Sequence, residues 1–320
     1  MISLDASQIT ELLTPADAVA AVEAALRAHA ADKCVVPQRH HIEWQGNTFL
    51  AMPAVGGTVA GVKLVSVVPE NARRNLPVTI GVMMLTSAQT GEPLALLNAA
   101  ALTAIRTGAV GALGLRFTTP AAADSIGIIG CGGQGTWQAI SACAVRPIRR
   151  VFALRRSAAS FDSFCQVLKR HVPAVEIVPC RTPSELLEQT DIVIAATTSL
   201  EPVLPDDPAL VAGKHFVSVG SYRRTMQELP DAVYRAAGAL VIDTDGARTE
   251  VGDIVNALAR NILTETDIFP LVELVLGRRS VDVNRTTAYK TAGSALFDLY
   301  AAQAVYELAQ RRGIGNVIEL

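Results

Sequence analysis

Apolar side chains recur at helical spacing over residues 8–31, where Ile9, Leu12, Leu13, Val19, Val22 and Leu26 share a face. Thr14-Pro15 interrupts that run as a break or as a fresh helix start. From residue 35 to residue 97 the period shortens to that of strands. His41-Ile42-Glu43-Trp44 and Thr48-Phe49-Leu50-Ala51-Met52 flank Gln45-Gly46-Asn47, which predicts a hairpin. Strands are predicted over 61–68, 78–86 and 93–98, the last two joined through Gln89-Thr90-Gly91-Glu92. This is the texture of an antiparallel sheet. Residues 99–116 then read as a helix of mostly small side chains.

A different rhythm begins at Ser125. Short apolar strands at 126–129, 151–154, 175–179, 191–196, 215–219 and 239–242 alternate with helices at 136–145, 157–171 and 183–189. Such alternation predicts a doubly wound parallel sheet with helices on both faces. A last, alanine-rich helix is predicted over 287–312, and the domain boundary at Thr118-Thr119-Pro120. The expected class is α/β.

Composition narrows the functions available. With 28 Lys and Arg against 30 Asp and Glu, and no basic run, the chain lacks the clustered cations that nucleic acid requires. A hydrophobic content of 50% with 18% charged residues excludes a disordered chain. No stretch offers the ~20 apolar residues of a membrane span, and the most apolar window, 94–115, contains Arg106. The N-terminus lacks the basic and apolar regions of a signal peptide. The five cysteines are scattered with no C-x-x-C pair, and the five histidines show no ligand spacing. The expectation is a cytoplasmic protein without disulfides or a metal site.

Two features carry chemistry. Gly130-Cys131-Gly132-Gly133-Gln134-Gly135 follows a predicted strand and precedes a helix, the context in which G-x-G-x-x-G cradles a dinucleotide pyrophosphate. The second strand of that unit ends in Arg155-Arg156-Ser157, with no carboxylate to accept from a ribose 2′-hydroxyl. Guanidinium groups there favour a 2′-phosphate, so NADP(H) is expected ahead of NAD(H). Thr197 and Thr198 end a further strand, where they either face the cofactor or cap a helix. The second feature is cationic. Arg39, Lys63 and Arg106 each lie in apolar surroundings with few carboxylates near them in sequence. One such cation can snorkel to solvent; three together point to a site for a small carboxylate ligand.

The chain resembles the ornithine cyclodeaminase/mu-crystallin family over nearly its whole length. The resemblance rests on Pro37-Gln38-Arg39, Met52-Pro53-Ala54, Gly61-Val62-Lys63, Thr90-Gly91-Glu92-Pro93-Leu94-Ala95, Leu102-Thr103-Ala104-Ile105-Arg106-Thr107, the glycine loop, Gly252-Asp253 and Lys290-Thr291-Ala292-Gly293. It implies a Rossmann domain over 119–293 and an α+β substrate and dimerisation domain over 1–118 completed by 294–320. It implies a homodimer in which Arg39, Met52, Lys63 and Arg106 bind substrate, with Lys63 and Arg106 catalytic. The implied cofactor contacts are Thr107, Gly130, Gly132, Gly133, Gln134, Arg155, Arg156, Ser157, Thr197, Thr198, Val219, Ser221 and Gly293. In the cyclodeaminase branch the segment corresponding to Gly220-Ser221-Tyr222-Arg223 carries an Asp that acts on the substrate amine; here it has no carboxylate. The segment is similar to that of bacterial reductases of Δ1-pyrroline-2-carboxylate and Δ1-piperideine-2-carboxylate. The expected activity is therefore NADPH-dependent reduction of a cyclic ketimine carboxylate, with Lys63 or water as proton donor. Ornithine cyclodeamination, an alanine dehydrogenase-like activity and non-catalytic NADPH-linked binding are the alternatives.

Overall fold

In this computed structural model, which describes residues 1–319, a short strand β1 (Ile2–Leu4) leads into two helices, α1 (Ala6–Leu12) and α2 (Pro15–Ala30). Asp5 opens α1 with a capping box, and Thr14 opens α2 by accepting from the backbone N–H of Asp17, with Pro15 in the first turn. Thr14-Pro15 is thus a second helix start. Strands β2 (Cys34–Val35), β3 (His40–Trp44), β4 (Asn47–Gly56), β5 (Val59–Val67), β6 (Thr79–Ser87) and β7 (Pro93–Asn98) follow. The β3–β4 hairpin closes at Trp44 and Asn47 around Gln45-Gly46, whose φ values of 49° and 76° are those of a tight two-residue turn. Strands β4 to β7 pair antiparallel, and β1 adds in parallel beside β7. One face of this sheet buries Met52, Lys63 and Met83; the other exposes Leu64, Ile80 and Val82.

Helix α3 (Ala99–Thr118) comes next, then the alternating segment. Its elements are β8 (Ser125–Ile129), α4 (Gly133–Val145), β9 (Arg150–Leu154), α5 (Ala158–His171), β10 (Glu176–Cys180), α6 (Pro183–Gln189), β11 (Ile192–Ala195), α7 (Pro208–Val211), β12 (His215–Ser218), α8 (Asp231–Ala237), β13 (Leu240–Ile242), α9 (Ala247–Glu250), α10 (Gly252–Ala259), β14 (Ile268–Pro270), α11 (Val272–Val275) and β15 (Thr287–Lys290). The second sheet runs β10-β9-β8-β11-β12-β15-β13-β14, and every pair in it is parallel. The chain order reverses between β8 and β11. That switch point opens a crevice at the C-terminal strand ends, where such sheets take ligands.

The helix expected over 287–312 is corrected here. Thr287–Lys290 is a fully buried strand between β12 and β13, and the last helix, α12 (Ala295–Arg312), starts after Gly293 (φ 77°) with Ser294 as its cap. Four residues of Thr, Ala, Tyr and Lys are too short a run for periodicity to separate strand from helix. Helix α12 packs on α2, β4, β5 and β6, and β16 (Asn316–Val317) then pairs with β1. The chain divides into two compact units, Met1–Arg106 with Ser294–Leu320, and Thr107–Gly293.

Candidate active site

The cationic residues collect within the first unit. Met52 and Lys63 lie opposite each other on β4 and β5, so both side chains point to the buried face. The Lys63 side chain is only 3% exposed, and a lone ammonium there would be very costly. Its partner comes from the far end of the chain. Asp298 Oδ2 accepts from Lys63 Nζ at 2.6 Å, and Asp298 Oδ1 accepts from Arg106 Nε at 2.8 Å. Thr103, one turn before Arg106 on α3, accepts from Lys63 Nζ through Oγ1 at 3.4 Å.

This corrects the expectation that an anionic ligand alone would partner these cations. Asp298 neutralises one of the two, and a surplus positive charge remains on Lys63 and Arg106. Arg39, half-buried in the segment before β3, adds to it. Burial pushes the Lys63 ammonium down to about 8; Asp298 opposes that fall, while Arg106 and Arg39 assist it. Burial would raise the Asp298 carboxyl, but Arg106 and Lys63 outweigh it and hold the group below the usual carboxylate range. His40 and His41 are exposed on β3 and take no part. Asp298, absent from the residues expected above, carries the same signal as Arg106: a charge in an apolar helical run, Ala295-Leu296-Phe297-Asp298-Leu299.

In the second unit the glycine loop sits at the switch point. Gly130 has φ 103°, and a Cβ there would lie 2.4 Å from the Ala196 carbonyl oxygen. A Cβ on Gly135 would lie 1.9 Å from the Gly130 carbonyl oxygen, so only glycine lets α4 approach β8 this closely. At Gly132 and Gly133 a Cβ would meet nothing within 4 Å. Their backbone faces an open cradle at the N-terminus of α4, where no side chain caps the first-turn N–H groups. Gln134 Oε1 is buried there without a hydrogen-bond partner among the described residues. These residues fit a dinucleotide pyrophosphate. Thr107 is buried, with its carbonyl accepting from Gln138 Nε2 of α4 at 2.9 Å. Arg155 and Arg156 are exposed at the end of β9, and Ser157 caps α5 by accepting from Ser160 N. Among the described residues no carboxylate ends that strand.

The loops after β11 and β12 are joined by a residue whose sequence context carries no signal of this role. Glu228 is fully buried. Its Oε1 accepts from Thr197 N (2.5 Å) and Thr197 Oγ1 (2.9 Å). Its Oε2 accepts from Ser218 Oγ (2.8 Å), Val219 N (3.1 Å), Gly220 N (2.7 Å) and Ser221 N (3.3 Å). Thr197, Val219 and Ser221 are thereby gathered around one carboxylate, whereas Thr198 is exposed. Gly220 permits the contact, since a Cβ there would lie 1.8 Å from the Thr197 carbonyl oxygen. Beneath them Asp253 accepts from Tyr234 Oη at 2.7 Å, and Lys290 Nζ donates to Ser218 Oγ at 3.0 Å. Gly293 is held by Asp243, whose Oδ2 accepts from Gly293 N at 2.6 Å.

A doubly wound parallel sheet with this glycine cradle at its switch point defines a dinucleotide-binding protein of the kind that includes nicotinamide-dependent oxidoreductases. The chain belongs to the ornithine cyclodeaminase/mu-crystallin family, which it matches over residues 1–313. It is similar to the Δ1-pyrroline-2-carboxylate reductase of Bacillus cereus, with 31% identity covering 100% of both chains. Among solved structures it is similar to the Δ1-pyrroline-2-carboxylate reductase of Thermococcus litoralis in complex with NADH and L-proline. That match has 30% identity and a TM-score of 0.92, and covers 99% of this chain and 100% of the other. It is also similar to an archaeal alanine dehydrogenase dimer with bound NAD, at 25% identity and a TM-score of 0.90, covering 100% of this chain and 99% of that one.

Proposed function

We propose that this protein reduces cyclic ketimine carboxylates, Δ1-pyrroline-2-carboxylate to L-proline and Δ1-piperideine-2-carboxylate to L-pipecolate, with NADPH preferred over NADH. The observation that carries this reading is the buried pair of Lys63 and Arg106, whose combined charge Asp298 only half compensates. A small carboxylate supplies the missing negative charge. Arg106 and Arg39 bind it, Met52 packs on the apolar ring, and Lys63 faces the ring nitrogen. A reduced dinucleotide whose pyrophosphate is held at the glycine cradle would supply the hydride to C2. An imine accepts hydride far better once its nitrogen is protonated, so the protein's part is to orient the ring and deliver a proton.

The segment after β12 supports reduction over cyclodeamination. Its stretch Gly220-Ser221-Tyr222-Arg223 has no carboxylate, and Glu228, later in the same loop, spends both oxygens on six donors. That carboxylate is not available as a base for an amine. The NADPH preference rests on Arg155 and Arg156, which are exposed at the end of β9 without a competing acid. The names of the relatives, reductases of Δ1-pyrroline-2-carboxylate, support the substrate class.

A homodimer is part of the same proposal. Ile42, Phe49, Ser66 and Ile80 form one cross-strand row on the outer face of the first sheet, and Leu64 and Val82 stand side by side in the next. Ile42 is 60% exposed, Leu64 48% and Ile80 48%, an apolar surface of the kind a second copy covers. The dimeric archaeal alanine dehydrogenase supports that occupant.

The test of the activity is NADPH and NADH oxidation with each of the two ketimines. It is run beside L-ornithine with NAD+, and pyruvate with ammonia and NADH. Ketimine-dependent oxidation, faster with NADPH, is expected. Ammonia release from L-ornithine without ketimine turnover would overturn the reading.

A further inference from the structure

The reductase reading leaves open how Lys63 holds a proton while packed between cations, and this inference rests on that reading. We propose that Asp298 is a positioning residue for proton delivery: it clamps the Lys63 ammonium beside the Arg106 guanidinium, so that one cation serves the substrate nitrogen and the other its carboxylate.

Donor counting supports the clamp. An ammonium has three N–H bonds. On Lys63 one goes to Asp298 Oδ2 at 2.6 Å and one to Thr103 Oγ1 at 3.4 Å, which leaves one for a ligand. Arg106 spends Nε on Asp298 Oδ1, and its two terminal nitrogens make no hydrogen bond among the described residues. They are the pair that grips a carboxylate bidentately. Both oxygens of Asp298 are therefore used, one per cation, and the carboxylate fixes the spacing between the remaining donors. Its side chain is 1% exposed, so bulk water does not screen the pair.

Charge supports the clamp as well. The charged groups facing Lys63 are Asp298 from α12, Arg106 from α3 and Arg39 from the segment before β3. Burial and both arginines favour the neutral amine, and Asp298 alone opposes them. In the proton step an Nζ–H bond breaks as the ring N–H bond forms. Lys63 leaves as the neutral amine and regains its proton from solvent, while Asp298 stays ionised throughout.

The experiment compares the unmodified protein with Asp298→Asn, Asp298→Glu and Lys63→Arg. Protein labelled with 13C at lysine Cε is titrated by NMR, with Lys63 assigned as the resonance absent from Lys63→Arg, and the pH profile of kcat/KM is recorded in parallel. The unmodified protein should show a Lys63 midpoint of about 8. Asp298→Asn should lower it by ~1 unit or more, a tenfold loss of proton affinity, and the alkaline limb of kcat/KM should move by the same amount. Asp298→Glu keeps the charge and should hold the midpoint while kcat/KM falls. Lys63→Arg should abolish that limb. An unmoved midpoint in Asp298→Asn, or an alkaline limb that persists in Lys63→Arg, overturns the proposal. Should Asp298→Asn fail to fold, Asp298→Glu and Lys63→Arg decide the matter. Failure of the reductase reading would appear separately, as no ketimine turnover by the unmodified protein, and the NMR midpoints then judge the clamp alone.

Discussion

Replacing Glu228 with Ala tests the claim that one buried carboxylate holds the loops around the proposed cofactor site. The change removes the acceptor for the backbone N–H groups of Thr197, Val219, Gly220 and Ser221 and for the Thr197 hydroxyl, while the Ser218 hydroxyl keeps Asp253 Oδ2 at 2.8 Å. A buried donor left without a partner costs about 1–3 kcal/mol, but water entering the vacated volume would satisfy several of these five. No cation is stranded, because Lys290 Nζ still lies 3.7 Å from Asp253 Oδ2. The larger penalty of breaking a buried ion pair therefore does not apply in full. A net loss of about 2–4 kcal/mol is expected, which lowers the melting temperature by ~4–16 °C for a unit of this size class. Because Thr197 and Val219 are proposed cofactor contacts, dinucleotide affinity should fall about tenfold, equivalent to ~1.4 kcal/mol. Differential scanning calorimetry measures the first effect and nucleotide fluorescence titration the second. Glu228→Gln should also destabilise, since its amide presents hydrogens to donors. A Glu228→Ala protein that melts within ~1 °C of the unmodified chain and binds nucleotide equally well would refute the reasoning.

Arg106→Ala should lower kcat/KM for ketimine reduction by ~10²–10³ with little change in melting temperature, because Lys63 still pairs with Asp298; steady-state kinetics with an unchanged value would remove Arg106 from the site. The double change Arg155→Ala and Arg156→Ala should raise KM for NADPH about tenfold or more and leave that for NADH nearly constant, and equal effects on both would sink the 2′-phosphate assignment. Leu64→Asp on the exposed sheet face should convert a dimer to a monomer in analytical ultracentrifugation at unchanged helical content, and an unaltered sedimentation coefficient would exclude that face.

Much of this fold can be read from local pattern. Six strands of the parallel sheet stand out as short apolar runs between turn residues, whereas β14 and β15, with three and four residues, do not; the β3–β4 hairpin stands out because Gln45-Gly46 punctuates it. Helix α4 begins at Gly133, whereas periodicity starts it only at 136, because the first turn follows the glycine loop and has few apolar side chains. Lys63 and Arg106 could be found as cations out of place. Their shared partner could not, because Asp298 lies 235 residues beyond Lys63 and no periodicity spans such a gap. Glu228 left no trace for another reason: it stands in an irregular loop, where an acid is unremarkable until the folded chain closes six donors around it.

The return of α12 to the first unit carries a consequence for the order of assembly on the ribosome. The residues of the second unit, Thr107–Gly293, are synthesised between Lys63 and the helix that bears Asp298. Until that helix emerges, the nascent first unit carries two cations that must be sheathed in water, and its interior stays open. A chain halted short of Asp298 would present degradative enzymes with an unclosed amino-terminal segment.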